Sequence, residues 1–234
     1  MNKYAIGLLS TLCLAVGAGA QENLGEIVVT GSRVLSDDYY GMPAISIEKR
    51  ADFLVQRVRL TNDTRAAEAR REELYRTIRD LLADAAKQPG MALGYGDDFL
   101  IPVTAKDYEI PLAAGHGRSD TSTTEFYIKR ALGPADDVTA VLRSLRSFIE
   151  KARMNGRTEI LPLGDVGLSV VNPDKYRYEI IEKIAADAKK LQAAVGPQCR
   201  VDIAGLSARV SWQRSDVSQL TLYIPYEVQL TACQ

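Results

Sequence analysis

A chain of 234 residues, 46% hydrophobic and 25% charged, has an ordinary globular composition and is long enough for one sizeable domain. Its 29 basic and 30 acidic residues leave no net positive footprint of the kind nucleic-acid binding requires. A single histidine and the lack of any CxxC spacing exclude a zinc site built from His and Cys.

Residues 1–20 read as a secretory signal peptide. Lys3 supplies the positive start, Tyr4 to Val16 is almost wholly apolar, and Ala18-Gly19-Ala20 is a small-x-small cleavage site. The apolar run is shorter than the about 20 residues of a transmembrane helix. An uncleaved anchor is the alternative, and a lipoprotein fits less well because Leu12, before Cys13, is not small. Cleavage after Ala20 removes Lys3, leaving 28 of the 29 basic residues against 30 acidic ones. It also leaves two cysteines, Cys199 and Cys233. In an exported protein such a pair reads first as a disulfide.

Residues 21–43 read as an extended lead containing one strand-like piece, Glu26-Ile27-Val28-Val29-Thr30, and folding proper is expected from Ala44. Ile45, Ile47 and Phe53 to Leu60 read as strand. Asn62-Asp63-Thr64 offers helix caps for an amphipathic helix to about Lys87, with Leu74, Ile78, Leu81 and Ala85 on its apolar stripe. Residues 91–120 are less legible, with a strand near Phe99–Val103 and a loop over 113–119. Thr123 to Leu132 alternates as a strand, and Gly133-Pro134 opens a second helix whose stripe includes Val141, Leu145, Phe148 and Ile149. Residues 158–171 read as strand, with a hairpin turn at Gly164-Asp165 as one option. Asn172-Pro173 starts a third helix, ended by Gly196-Pro197.

Two strands, about 200–212 and 218–231, finish the chain as a hairpin turning near Arg214–Val217. Matching their apolar faces places Trp212 opposite Leu220 and Val210 opposite Leu222. The apolar parity shifts at Gly205, which predicts a bulge there and moves Cys199 opposite Ala232, next to Cys233. Pro225 marks an edge or a bulge in the last strand, since proline donates no ladder bond. The expected fold is α+β: repeated strand-helix-strand units, with helices packed on largely antiparallel sheet.

This order resembles the SIMPL (DUF541) family of exported bacterial proteins, over roughly residues 44–232. The segments carrying the likeness are the strand and helix to Lys87, the strand-helix unit Thr123–Arg153, and Leu168-Ser169-Val170-Val171-Asn172-Pro173 followed by the alanine-spaced helix through Gly196. The resemblance implies a periplasmic or envelope protein without known catalytic residues that assembles into oligomers. It transfers no site residue. A second, local likeness joins Gly25-Glu26-Ile27-Val28-Val29-Thr30-Gly31-Ser32-Arg33 to the mature start of TonB-dependent outer-membrane receptors. A receptor barrel of about 22 strands of roughly ten residues each exceeds this chain. What remains is a β-prone segment, Glu26 to Thr30, suited to strand addition on an outer-membrane or TonB-system partner, or else a tether or a strand of its own domain.

No catalytic constellation stands out. Ser207 lacks the second glycine of a nucleophile elbow, His116 is flanked by glycines, and Asp97-Asp98 is not a calcium loop. Tyr176, Tyr178, Tyr223 and Tyr226 read as core-margin residues. The resulting expectation is a non-enzymatic periplasmic protein, without cofactor, acting through protein–protein contacts and self-assembly. The rivals are an accessory of TonB-linked transport presenting residues 25–33, and an envelope hydrolase using His116.

Overall fold

The computed structural model describes residues 25–29, 42–97, 99–115 and 118–233. The signal segment, Thr30, Asp98 and His116 lie outside the described residues. Twelve strands and three helices are present among them. The strands are β1 (Glu26–Val29), β2 (Ile47–Arg50), β3 (Phe53–Asn62), β4 (Met91–Tyr95), β5 (Ile101–Val103), β6 (Ala113–Gly115), β7 (Arg118–Ala131), β8 (Thr158–Val171), β9 (Arg200–Ala204), β10 (Ser211–Arg214), β11 (Gln219–Tyr223) and β12 (Glu227–Thr231). The helices are α1 (Ala67–Ala85), α2 (Val138–Glu150) and α3 (Arg177–Val195), the last preceded by a 3₁₀ turn at Pro173–Tyr176.

The main sheet is antiparallel, in the order β1-β8-β3-β7-β4-β5, with β6 also on β7. Helix α1 follows β3 and leads to β4, yet β3 and β4 each pair with β7 rather than with each other. Likewise α2 joins β7 to β8, and both flank β3. The expected α+β class and antiparallel sheet are therefore present, in a curled form. The curl is tight enough that the outer strand β1 touches Leu100, just before β5: the Leu100 N–H donates to Glu26 O at 2.7 Å.

The curl gives the sheet two unlike faces. Period-two alternation sends Leu54, Val58 and Leu60 of β3, Phe126 and Ile128 of β7, and Leu168 and Val170 of β8 to the face packed under α1 and α2. There they meet Leu74, Ile78 and Leu81 of α1 and Leu145, Phe148 and Ile149 of α2 in the main core. The opposite face is the inside of the curl. Phe53, Val55 and Tyr127 pack there with Val28 and Leu100 as a second, smaller cluster.

Several elements differ from the sequence reading. Residues 26–29 are a strand of the sheet, paired Glu26↔Val171 through Val29↔Leu168, with Ile27 fully buried, so the ordered fold begins before Ala44. Ala113–Gly115 forms β6 rather than loop, and the short β4, with Gly94 inside it, was not foreseen. Helix α1 has its N-cap position at Ala66, not at Asn62–Thr64: the Asn62 and Thr64 side chains donate to Glu73, and Asp63 pairs with Arg157. Helix α2 starts at Val138: Gly133-Pro134 lies in a preceding turn, and the Asp137 carboxylate accepts from the Thr139 N–H at 3.0 Å. Gly164-Asp165 is not a hairpin turn. β8 runs through it, with a bulge opposite Gln56, whose amide donates to Leu163 O at 2.9 Å inside the bulge.

The C-terminal strands are each broken in two. β10 and β11 pair as Trp212↔Leu222, two residues off the expected Trp212–Leu220 register, and β2 joins them as a third strand. β9 and β12 form a separate two-stranded ribbon. The break falls at Gly205 and Pro225. Gly205 has φ +86°, and a Cβ there would stand 2.6 Å from Pro225 O, so only glycine fits the crossing. Arg177, opening α3, donates to the carbonyls of Leu206 and Ala208 and holds the intervening loop.

Candidate functional site

The inner face of the curl grades from apolar to charged along its length. Cross-strand neighbours share a face, so the β3–β7 register stacks Val55↔Lys129, Arg57↔Tyr127, Arg59↔Glu125 and Thr61↔Thr123 as successive rungs. At the closed end, the Lys129 ammonium pairs with the Glu26 carboxylate, whose other oxygen accepts from Ser169 Oγ at 2.6 Å. Lys129 Nζ also lies 4.3 Å from the centroid of the Phe53 ring. All polar atoms of this buried knot have partners, as a charge out of water requires.

Towards the open end the same face becomes a cleft of about 680 Å³. Arg57 and Arg59 line it from β3, Glu125 and Tyr127 from β7, and Tyr95 and Asp97 from the end of β4. The Glu125 carboxylate is held on both sides. Arg59 donates to Oε1 from Nε at 2.8 Å and from Nη2 at 2.6 Å, and Arg57 Nη2 stands 2.8 Å from Oε2. Arg57 also lies 3.7 Å from Asp97, whose side chain is 92% exposed. At the far rim Arg157 makes a two-pronged pair with Asp63, at 2.6 and 2.8 Å.

Tyr127 bridges the two zones. It is only 6% exposed; its ring packs in the inner cluster with Val55 and Leu100 while the residue also lines the cleft. Burial raises the pKa of its phenol above the usual value, with Arg57 acting the other way. The group therefore keeps its proton and is a donor at neutral pH. Its hydroxyl makes no hydrogen bond to the described residues.

The β9–β12 ribbon is the second feature. The Gln192 side chain of α3 accepts from the Val201 N–H at 3.2 Å and donates to Cys199 O at 2.8 Å, covering the β9 side. On the β12 side no further strand pairs among the described residues. Val201, Ile203, Val228 and Leu230 share one face by register. Val228 and Leu230 are 39% and 49% exposed. Cys199 and Cys233 close the ribbon's end at disulfide distance, with Cα atoms 4.1 Å apart. The β9–β12 pairing brings Cys199 opposite Ala232, the register that an interruption at Gly205 requires.

The remaining sequence candidates do not converge. Glu26 to Val29 are held in the molecule's own sheet by β8. Ser207 is exposed in the loop between β9 and β10, and Tyr178 is 75% exposed. Tyr176 receives Lys49 and Lys175 on its ring, each at 4.9 Å. Tyr223 lines a different cleft, with Trp212, Phe99 and Arg209, away from Tyr226. Among the described residues no cluster of His, Cys, Asp and Glu is arranged to hold a metal ion, and no helix is long and apolar enough to cross a membrane. The cleft of Arg57, Glu125 and Tyr127 was not singled out from the sequence. Its signal there was only a run of charged residues at alternate positions, which reads as an open, solvated face. Comparison of the chain with protein-family models, with curated proteins and with solved structures finds no match.

Proposed function

We propose that this is an exported, non-enzymatic protein of the periplasm or cell envelope that works through contacts between copies of itself. The observation that carries this reading is β12: an edge strand with exposed Val228 and Leu230, on the apolar face of a two-stranded ribbon. Unpaired strand edges template pairing with another chain, and this one lacks an inward charge or an internal proline to prevent it. A second copy fits it by symmetry. Antiparallel pairing centred on Gln229 sets Val228 against Leu230 of the second copy and Glu227 against its Thr231, so apolar groups meet and like charges do not. The signal-like residues 1–20 and the Cys199–Cys233 pair support export into an oxidising compartment. The resemblance in element order to SIMPL proteins supports the envelope role. Because β1 is already committed to β8, the free edge of β12 favours self-association over presentation of residues 26–29 to a transport partner.

The test is light scattering of residues 21–234 beside the double variant Val228→Lys, Leu230→Lys. The wild-type chain is expected to run as an oligomer and the variant as a folded monomer. A wild-type monomer across a hundredfold range of concentration would overturn the reading.

A further inference from the structure

The inner cleft carries a second function, independent of the ribbon. We propose that it binds a small organic monocarboxylate, with Arg57 as the anion contact and the Tyr127 hydroxyl as a second donor. Three observations carry this.

The first is charge. Arg57 and Arg59 share the single carboxylate of Glu125, and the second guanidinium is offset only by Asp97, 3.7 Å from Arg57. The guanidinium of Arg57 has five donors, and among the described residues it engages only Glu125 and, at 3.7 Å, Asp97. A pair at that distance with an almost fully exposed aspartate is worth little, so a ligand carboxylate can displace it.

The second is an unspent donor. Tyr127 is 6% exposed, lines the cleft, and has a hydroxyl without a partner among the described residues, beside Arg57 on the facing strand. The hydroxyl is not among the fully buried atoms left without a partner; it opens to the cleft, where a ligand oxygen placed between Arg57 and Tyr127 would take the place of water on it.

The third is the surround. A cavity of about 680 Å³ lies in the range of small-molecule sites, and Pro111, Leu112 and Tyr95 offer apolar wall for the body of a ligand. Asp97 and Glu159 at the rim, where Asp63 is already paired with Arg157, disfavour a second negative charge, so a carboxylate fits better than a phosphate dianion.

Calorimetry and NMR of the arginine Nε–H groups, on residues 21–234, test this with three probes: benzoate, its neutral isostere benzamide, and inorganic phosphate. Benzoate is expected to saturate and to shift the Arg57 Nε–H, benzamide not to bind, and phosphate to bind more weakly than benzoate. Arg57→Gln should weaken benzoate about tenfold or more, and Tyr127→Phe by a smaller factor, as loss of a charged and of a neutral hydrogen bond predicts. Asp97→Asn, which removes the competing carboxylate, should strengthen binding, an outcome that misfolding cannot produce. Absence of saturable benzoate binding, equal affinity in Arg57→Gln, no gain in Asp97→Asn, or tighter binding of phosphate or benzamide would each overturn the assignment. The measurements repeat on Val228→Lys, Leu230→Lys, where benzoate binding is expected to persist whether or not the chain self-associates.

Discussion

Glu26 of β1 and Lys129 of β7, 103 residues apart in the chain, form an ion pair inside the curl with side chains only 5% and 8% exposed. Ser169 completes the carboxylate's shell from β8, so one buried knot ties three strands together where the edges of the sheet meet.

Removing one partner strands the other charge away from water. Glu26→Ala or Lys129→Ala is expected to cost about 3–5 kcal/mol in urea unfolding, whereas Glu26→Leu with Lys129→Met should recover most of that loss. Single variants within 1 kcal/mol of the parent would show that the knot does not hold β1 in place.

Glu73 gives the fold an acid-sensitive joint. Its carboxylate accepts from Asn62 Nδ2 at 2.7 Å, from Thr64 Oγ1 at 2.7 Å and from the Arg157 N–H at 3.1 Å. These bonds, Asn62 first, lower its pKa. Gly156 is required beside it, since its φ is +56° and a Cβ would fall 2.0 Å from the Glu73 carboxyl carbon. A depressed carboxylate contributes stability that is fully present above the unfolded-state value, near 4.3, and is lost as pH falls through the folded-state value. Glu73→Gln should therefore lower stability by about 1 kcal/mol at neutral pH and reduce its decline in acid. Asp84, lowered by Lys87 and then Arg153, keeps some acid sensitivity in that variant. Thermal melts from pH 7 to pH 3 check both effects; parallel pH profiles for parent and variant would refute the role of Glu73.

The cysteine pair closes a span of 34 residues that contains the core residues Leu220, Leu222 and Ile224. In the chain-entropy model, opening it with Cys199→Ser and Cys233→Ser costs roughly 3–4 kcal/mol. Hydrogen exchange should show the largest loss of protection in β9 and β12. Thiol counting on denatured, unreduced protein should find no reactive thiol in Cys199 or Cys233; two per chain would end the argument for the bond.

Asp137→Ala removes the only side-chain bond to the first turn of α2 that its cap supplies, and should cost about 1 kcal/mol. Asp137→Asn, which keeps the acceptor, should cost much less. Equal losses in the two variants would place the effect elsewhere.

Period and punctuation were enough to locate most elements. The stripe Leu74, Ile78, Leu81 marks α1, the alternation around Phe126 and Ile128 marks β7, and the parity shift at Gly205 marks the break that brings Cys199 beside Cys233. These are local signals, set by the 3.6-residue and two-residue repeats of helix and strand. Short β4 and β6 carry too few residues for a period to emerge. The C-terminal register slipped because two loops, 205–210 and 224–226, interrupt a pattern that apolar parity alone reads as continuous. Alternation also shows that Tyr127 and Lys129 share a face, but not that this face is enclosed. Enclosure follows from the curl of the whole sheet and the meeting of Glu26 with Leu100, a contact between residues 74 positions apart. That closure turns Arg57, Glu125 and Tyr127 from residues of an open face into the walls of a cleft, because only the curl of the sheet brings side chains of β3, β7 and the segment after β4 around one shared volume.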